Sequence, residues 1–177
     1  MPEAVSEALK IGNSTLRVIR GDITELEVDA FVYYAQHDLV LGSGFGGAIA
    51  VRGGPDIQKE LDEMGPLETT QVAVSGAGKL NASHIIHAVG PRFNEEDTES
   101  KLRTTVTNSL KAADEKGVKR IAMPAMGAGF YGIPLDVCAR VMIESIKAYL
   151  QGQTAIEEVI ICVNDRREVP PFESQLG

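Results

Sequence analysis

The feature of this sequence that most restricts its fold is the alternation of short apolar segments with longer segments of helical periodicity. The apolar segments have the length and pattern of β-strands and lie at residues 15–20, 28–35, 71–75, 84–89, 119–123 and 159–163. Segments with apolar residues at helical spacing lie between them, at residues 55–65, 98–116 and 134–150. This alternation predicts an α/β fold in which a mainly parallel sheet is covered by helices on both faces, in three layers.

The length of the chain bounds its domain organisation. A chain of 177 residues buries enough surface for a substantial core and leaves little room for a second domain. We expect a single domain with its core at residues 15–165, an N-terminal extension at 1–14 and a C-terminal tail at 166–177. The sequence "VPPF" within that tail predicts an irregular segment.

Charge and hydropathy restrict the partners that this chain can have. The formal net charge is −8 and no basic stripe offsets it, which argues against duplex nucleic acid, because binding a duplex requires Lys and Arg at its phosphates. No apolar run approaches the ~20 residues of a membrane span, and the first ten residues lack the apolar region of a secretory signal. Cys138 and Cys162 lie in periodic apolar segments, as expected for buried thiols. We therefore expect a cytoplasmic protein without a membrane partner.

Two glycine-rich segments each follow a predicted strand and precede a helical segment. Glycine lets backbone N–H groups approach an anion closely, and a helix N-terminus adds partial positive charge. Two such segments in the same context favour the binding of two adjacent phosphates over two unrelated turns. The glycines are Gly42, Gly44, Gly46 and Gly47 in the first segment and Gly127, Gly129 and Gly132 in the second.

Two other nucleotide-binding motifs fit less well. A literal G-x-G-x-x-G begins at Gly42, but the dinucleotide-binding fingerprint requires its first glycine directly after a strand and an acid about 20 residues further on, at a second strand. The acids at that distance, Asp62 and Glu63, lie in a helical pattern, so this alternative is disfavoured. The segment "GAGKL" has Leu80 where a P-loop needs Ser or Thr for magnesium, so a P-loop is rejected.

Four segments occur in the order and spacing of the macro domain family. They are "GDIT" at residues 21–24, "VDAFV" followed by "GSGFGGAI", "IIHAVGP" at 85–91 and "IAMPAMGAGFYGIP" at 121–134. The chain resembles this family over residues 15–165, and it looks most like the small stand-alone bacterial members. The resemblance implies a three-layer α/β/α fold with a mixed sheet and a cleft that binds ADP-ribose.

The resemblance also implies binding roles for individual residues. Asp22 stands where the family's acid accepts the adenine amine, and Ile23 would pack on the base; Asp22 and Glu25 also match a capping box, and both roles are compatible. Most of the other implied binding residues lie in the two glycine-rich segments, the first matching the family's loop around the distal ribose and the second its loop over the diphosphate. These implied binding residues are Gln36, Gly42, Gly44, Phe45 and Gly46 in the first loop, Gly127, Ala128, Gly129, Phe130 and Tyr131 in the second, and Asn164, near the place where many members have a stacking aromatic.

The sequence departs from the family where its hydrolases have their catalytic groups. Those members typically carry "NAAN" after the second strand and an Asp in the glycine loop, whereas this chain has "YYAQ" at residues 33–36 and Gly46 at the Asp position. General acid–base assistance is worth about 10²–10⁴-fold, so its loss favours a binding module over a hydrolase. The candidates for replacement catalytic groups are Gln36, His37 and Asp38.

The other two histidines do not suggest a metal site. His84 and His87 are three residues apart on a predicted strand, so their side chains leave opposite faces. We therefore predict that the chain binds ADP-ribose or ADP-ribosylated protein without a metal or a cofactor. Two alternatives remain: a weak or divergent ADP-ribosyl hydrolase or O-acyl-ADP-ribose deacylase, and a scaffold whose degenerate cleft serves protein contacts.

Overall fold

The computed structural model describes residues 3–177. The strands are β1 Glu3–Ala4, β2 Leu9–Ile11, β3 Ser14–Arg20, β4 Ala30–Tyr34, β5 Val72–Gly76, β6 His84–Ala88, β7 Arg120–Met123 and β8 Glu158–Val163. The α-helices are α1 Phe45–Gly53, α2 Asp56–Asp62, α3 Thr98–Glu115, α4 Leu135–Leu150 and α5 Val169–Leu176. Short 3₁₀ turns cover Ile23–Glu25, Gly129–Tyr131 and Arg166–Glu168.

The strands form one sheet in the order β1-β3-β8-β7-β4-β6-β5, and β2 also pairs with β3. The pairs from β3 through β8, β7 and β4 to β6 are parallel. The strands β1, β2 and β5 pair antiparallel at the edges. The prediction of a mixed, mainly parallel sheet is therefore confirmed.

Helices cover both faces of this sheet, and β4 shows why its sequence is apolar throughout. Ala30, Val32 and Tyr34 belong to the core beneath α3, α4 and α5, whereas Phe31 and Tyr33 belong to the core beneath α1 and α2. Successive strand residues point to opposite faces, so both sets are buried. The three-layer α/β/α architecture is confirmed.

The C-terminal tail is more ordered than the sequence predicts, and the described part of the N-terminal extension also forms regular structure. The predicted irregular tail is wrong, because α5 includes "VPPF" and buries Phe172 completely against the core. Pro170 and Pro171 are compatible with a helix because the N–H groups of its first turn need no intrahelical acceptor. The N-terminal extension contributes β1 and β2 to the sheet from its described residues, 3–14.

The helix α1 is not predicted from the sequence, because glycine disfavours the interior of a helix. Gly46 and Gly47, assigned to the first glycine loop, lie instead in the first turn of α1. Among residues 3–177, no helix is both long enough and apolar enough to cross a membrane.

Candidate functional site

A cleft opens at the carboxyl ends of the parallel strands, where ligands bind in sheets of this kind. It consists of two adjoining chambers of about 470 and 370 Å³. We call the first the Asp22 chamber, and its lining includes Asp22, Ile23 and Asn164. We call the second the Tyr33 chamber, and its lining includes Tyr33 and Gln36. Both share a wall formed by Gly44, Phe45, Pro124, Ala125 and Ala128. The two glycine-rich segments therefore converge on one space.

The first glycine segment supplies a helix N-terminus to the shared wall. Gly44 caps α1 with a φ of 61° and ψ of −127°, a conformation that residues with a side chain rarely adopt. A Cβ at Gly44 would meet nothing within 4 Å, so its backbone borders open space. The N–H groups of the first turn of α1 have no intrahelical acceptors, and they give this wall a partial positive charge.

The second glycine segment bends the chain back toward the same wall. Gly127, Gly129 and Gly132 have φ values of 87°, 67° and 81°, which glycine adopts without a steric cost. A Cβ at Gly129 would meet nothing within 4 Å, whereas one at Gly127 would lie 2.4 Å from Ile133 Cδ1. Among residues 3–177, neither Gly44 nor Gly127 donates its N–H to a backbone or side-chain acceptor.

Asp22 combines a structural role with a position at the mouth of the first chamber. Its Oδ1 accepts from the N–H of Thr24 at 3.0 Å and from the Thr24 hydroxyl at 2.6 Å, and its Oδ2 accepts from Arg52. Burial raises the pKa of Asp22, but these hydrogen bonds outweigh it and the net pKa is lowered. The carboxylate is thus held ionised. Glu25 lies 3.8 Å from Arg52, extending the ion pair.

Glu168 is a residue of the Asp22 chamber that the sequence analysis missed. Its Oε1 accepts from the N–H groups of Asn164, at 3.1 Å, and Asp165, at 2.9 Å. Asp165 in turn caps the following 3₁₀ turn, and the pair forms a capping box. The pattern Asp-x-x-Glu at residues 165–168 is typical of a capping box and could have indicated the position of Glu168 from the sequence. Other lining residues that were missed are Gly21, Thr24, Ala48, Cys162 and Val163.

The Tyr33 chamber is walled by aromatic side chains. Phe130 and Tyr131 line it as expected, Phe130 with 81% of its surface exposed and Tyr131 half-buried. Tyr33 and Tyr34, considered in the sequence only as departures from a motif, also line it. Tyr34 donates its hydroxyl hydrogen to Pro91 O, and its ring meets that of Tyr131 edge-to-face with centroids 4.6 Å apart.

Three of the expected site residues lie outside both chambers. His37 Nδ1 is 2.8 Å from Leu67 O, and Asp38 Oδ1 accepts from the Val40 N–H at 3.0 Å. Neither His37, Asp38 nor Gly42 lines either chamber. The segment after Gln36 packs beside residue 67, where the N–H of Leu67 donates to His37 O. Of the three catalytic candidates, Gln36 alone lines a chamber.

The remaining histidines and the cysteines have structural environments. His87 is fully buried, with Nε2 2.8 Å from Ser75 Oγ, and burial lowers its pKa to about 4. Cys138 and Cys162 are free and buried, as predicted, and burial raises the pKa of each thiol to about 12. Within residues 3–177, no group of three or more His, Cys, Asp or Glu side chains could hold a metal ion.

Comparison with known sequences gives a consistent family assignment. A family model described as "Macro domain" matches residues 32–142. A protein of Saccharolobus solfataricus is 44% identical over 161 residues, 89% of each chain. A macro domain-containing protein of Caldanaerobacter subterraneus is 37% identical over 157 residues, 85% of this chain and 90% of that one. Since archaeal relatives are among these, the resemblance to specifically bacterial members is not confirmed.

Solved structures agree with the sequence comparison. The Oceanobacillus iheyensis macrodomain with ADP superposes with a TM-score of 0.93 at 26% identity, covering 99% of this chain and 96% of that one. A mutant of the same macrodomain with ADPR gives 0.91 at 27% identity, covering 96% of each chain. The Trypanosoma brucei macrodomain in complex with ADP-ribose, at 24% identity and a TM-score of 0.86, shares the fold.

Proposed function

The chain belongs to the macro domain family, and from this premise we propose that its cleft binds ADP-ribose or a close derivative, free or attached to protein. The observation that carries the proposal is the wall shared by the two chambers, at which both glycine-rich segments meet. Similar chains support it, because the Oceanobacillus macrodomain has been solved with ADP and, as a mutant, with ADPR.

The diphosphate lies at the shared wall in this proposal. No lysine or arginine of the described chain lines either chamber, so backbone groups must supply the donors. The first turn of α1, which begins at Phe45, provides N–H groups and the positive end of a helix dipole. The second glycine segment supplies further donors to the diphosphate, through the unpaired N–H of Gly127 and the left-handed turn at Gly129.

The adenine ring occupies the Asp22 chamber. Asp22 Oδ2 accepts from Arg52 and retains a second lone pair for the exocyclic amine of adenine. The buried side chain of Ile23 supplies an apolar contact for the base. Asn164 and Glu168 also line this chamber. The expected stacking aromatic is absent at position 164, which implies modest affinity for the base.

The distal ribose enters the Tyr33 chamber, where the amide of Gln36 is available to its hydroxyl groups. Binding is favoured over hydrolysis because no carboxylate or imidazole of residues 3–177 lines this chamber. Gly46 has no side chain, and neither His37 nor Asp38 lines the chamber. His37 Nδ1 instead lies at hydrogen-bond distance from Leu67 O, and Asp38 accepts from the Val40 N–H.

Titration calorimetry with ADP-ribose, AMP and ribose 5-phosphate tests the proposal. We expect saturable binding of ADP-ribose at one site per chain and weaker binding of the two fragments, since each occupies part of the cleft. A mono-ADP-ribosylated protein incubated with the chain should keep its label. No binding of ADP-ribose at millimolar concentration would instead favour the scaffold, and label release lost in Gln36→Ala would favour the hydrolase.

A further inference from the structure

The aromatic residues of this chain are concentrated in the Tyr33 chamber. The sequence contains four tyrosines, five phenylalanines and no tryptophan. Three of those tyrosines and two of those phenylalanines line this one chamber: Tyr33, Tyr34, Phe45, Phe130 and Tyr131. A cavity of about 370 Å³ is in the size range of small-molecule sites, roughly 300–1,000 Å³. This lining offers ring surface to a planar group in addition to the polar contacts that a ribose needs.

The rings meet at right angles instead of closing into a stack. Tyr33 and Phe45 are edge-to-face with centroids 5.1 Å apart, and Phe130 and Tyr131 are edge-to-face at 5.5 Å. The Arg92 guanidinium lies 5.5 Å from the centroid of the Phe130 ring, yet 81% of Phe130 is exposed. Phe130 therefore offers ring surface that nothing in the described chain covers, at the margin of the chamber.

One polar atom in the chamber wall lacks a partner. Tyr33 is 7% exposed, and its hydroxyl makes no hydrogen bond within residues 3–177, unlike the hydroxyl of Tyr34 beside it. Burial raises the pKa of Tyr33 to about 12, so the hydroxyl stays protonated and can donate. It lies against Gly46, which also lines the chamber. A hydroxyl without a protein acceptor, on a residue that lines the chamber, is available to donate to a ligand.

We propose that the Tyr33 chamber accepts a planar heteroaromatic ring carried beyond the second ribose of a dinucleotide, either a nicotinamide ring or a second nucleobase. The ring packs against Phe130 and Tyr131, and the Tyr33 hydroxyl donates to an acceptor on the ring or its carboxamide. This inference rests on the proposed function, because the diphosphate at the shared wall directs the ring into this chamber.

Calorimetric titrations with ADP-ribose, NAD⁺ and diadenosine diphosphate test this inference. Stacking of a base on an aromatic side chain corresponds to an affinity gain of about 5- to 150-fold. We therefore expect NAD⁺ or diadenosine diphosphate to bind at least about fivefold more tightly than ADP-ribose. The two dinucleotides identify which ring is preferred, and a gain with either supports the inference.

Two phenylalanines provide a matched pair of variants. Phe130 lines the chamber with 81% exposure, whereas Phe93 is 59% exposed and lines neither chamber. Both truncations should fold, since neither side chain is in the core. Phe130→Ala should remove the advantage of the ring-bearing dinucleotides over ADP-ribose, and Phe93→Ala should retain it.

The outcomes separate this inference from the proposed function. If ADP-ribose binds and both dinucleotides bind equally or less tightly, the aromatic subsite is wrong and the ADP-ribose proposal stands. If the preference survives in Phe130→Ala, stacking in this chamber is not its cause and the inference is also overturned. If ADP-ribose and both dinucleotides all fail to bind, the proposed function itself is contradicted.

Discussion

The hydroxyl oxygen of Tyr33 lies so close to Gly46 that a Cβ at position 46 would come within 2.4 Å of it. The same Cβ would lie 2.3 Å from Leu41 O. Tyr33 in β4 and Gly46 in α1 are therefore spatially linked. The Tyr33 hydroxyl and the backbone at Leu41 together occupy the space that a side chain at position 46 would need.

Substituting Gly46 with alanine should destabilise the fold. A methyl group at this position forces Tyr33 or the backbone at Leu41 to move, and overpacking of this kind costs about 1–3 kcal/mol. For a chain of this size each kcal/mol lowers the melting temperature by ~2–4 °C. Thermal unfolding of Gly46→Ala measures the effect.

Gly47→Ala is the control for this substitution. Its Cβ would meet only Gly42 O, at 3.4 Å, and alanine favours a helix more than glycine does. We expect Gly47→Ala to unfold at the wild-type temperature or above. A Gly46→Ala protein as stable as Gly47→Ala would show that the Tyr33 hydroxyl does not constrain position 46.

The adenine contact predicts a selective loss of affinity in Asp22→Ala. Loss of a hydrogen bond to a charged acceptor costs about 1.5–3 kcal/mol, or ~10- to 150-fold in the dissociation constant of ADP-ribose. Binding of ribose 5-phosphate should not change. Asp38→Ala is the control. Like Asp22, Asp38 accepts a hydrogen bond from the N–H of the residue two positions later in the chain, but it lines neither chamber. Equal affinities of the two variants would contradict the adenine contact.

Burial of His87 predicts a stability change in mildly acidic solution. Its pKa is lowered to about 4 in the folded chain and is about 6.5 when unfolded. Between these values the unfolded chain binds more protons, so the free energy of unfolding decreases as the pH falls. The total decrease from this group is about 3 kcal/mol.

Denaturant unfolding at pH 7 and pH 4.5 measures this decrease. His87→Gln should lose less stability between these two pH values than the wild type does. His37→Gln, at an exposed position, should behave as the wild type. A pH dependence that is unchanged in His87→Gln would assign the effect to other groups.

The helical C-terminus predicts that Phe172 contributes to the core. The side chain is fully buried, so Phe172→Ala should reduce the free energy of unfolding by about 3–5 kcal/mol. Glu173→Ala, at an exposed position in the same helix, should change it by less than about 0.5 kcal/mol. A small effect of Phe172→Ala would mean that α5 does not pack as described.

Local patterns in the sequence were sufficient for six of the eight strands, β3 to β8, for α3 and α4, and for the convergence of the two glycine segments. The spacing of apolar residues and the presence of glycine at turns are local signals, because each depends only on residues a few positions apart in the sequence. The helix α5 could not be predicted in this way, because its stability depends on a core pocket for Phe172 that distant elements create. The glycine-rich α1 was missed because contacts with Tyr33 and Leu41, not helix propensity, fix the residue at position 46.

The candidate site was predictable where the backbone defines it and less so where side chains do. Gly44 and Gly129 lie at the cleft as expected, since strand ends and turns determine their places. His37 and Asp38 follow Gln36 directly in sequence but turn away from the cleft, because the loop binds Leu67. The orientation of a side chain in a loop depends on such distant partners, which periodicity does not reveal.

The central claim, that backbone groups at the shared wall hold a diphosphate, is tested most directly by the affinity for ADP-ribose of two glycine variants. Gly129 and Gly117 have φ values of 67° and 72°, and a Cβ at either would meet nothing within 4 Å. Gly129 lines the cleft and Gly117 lines neither chamber, so substitution by glutamate imposes similar backbone strain at both. Gly129→Glu should weaken ADP-ribose binding at least about 100-fold, more than 2.7 kcal/mol, while Gly117→Glu binds as the wild type does. Wild-type affinity in Gly129→Glu would contradict the claim.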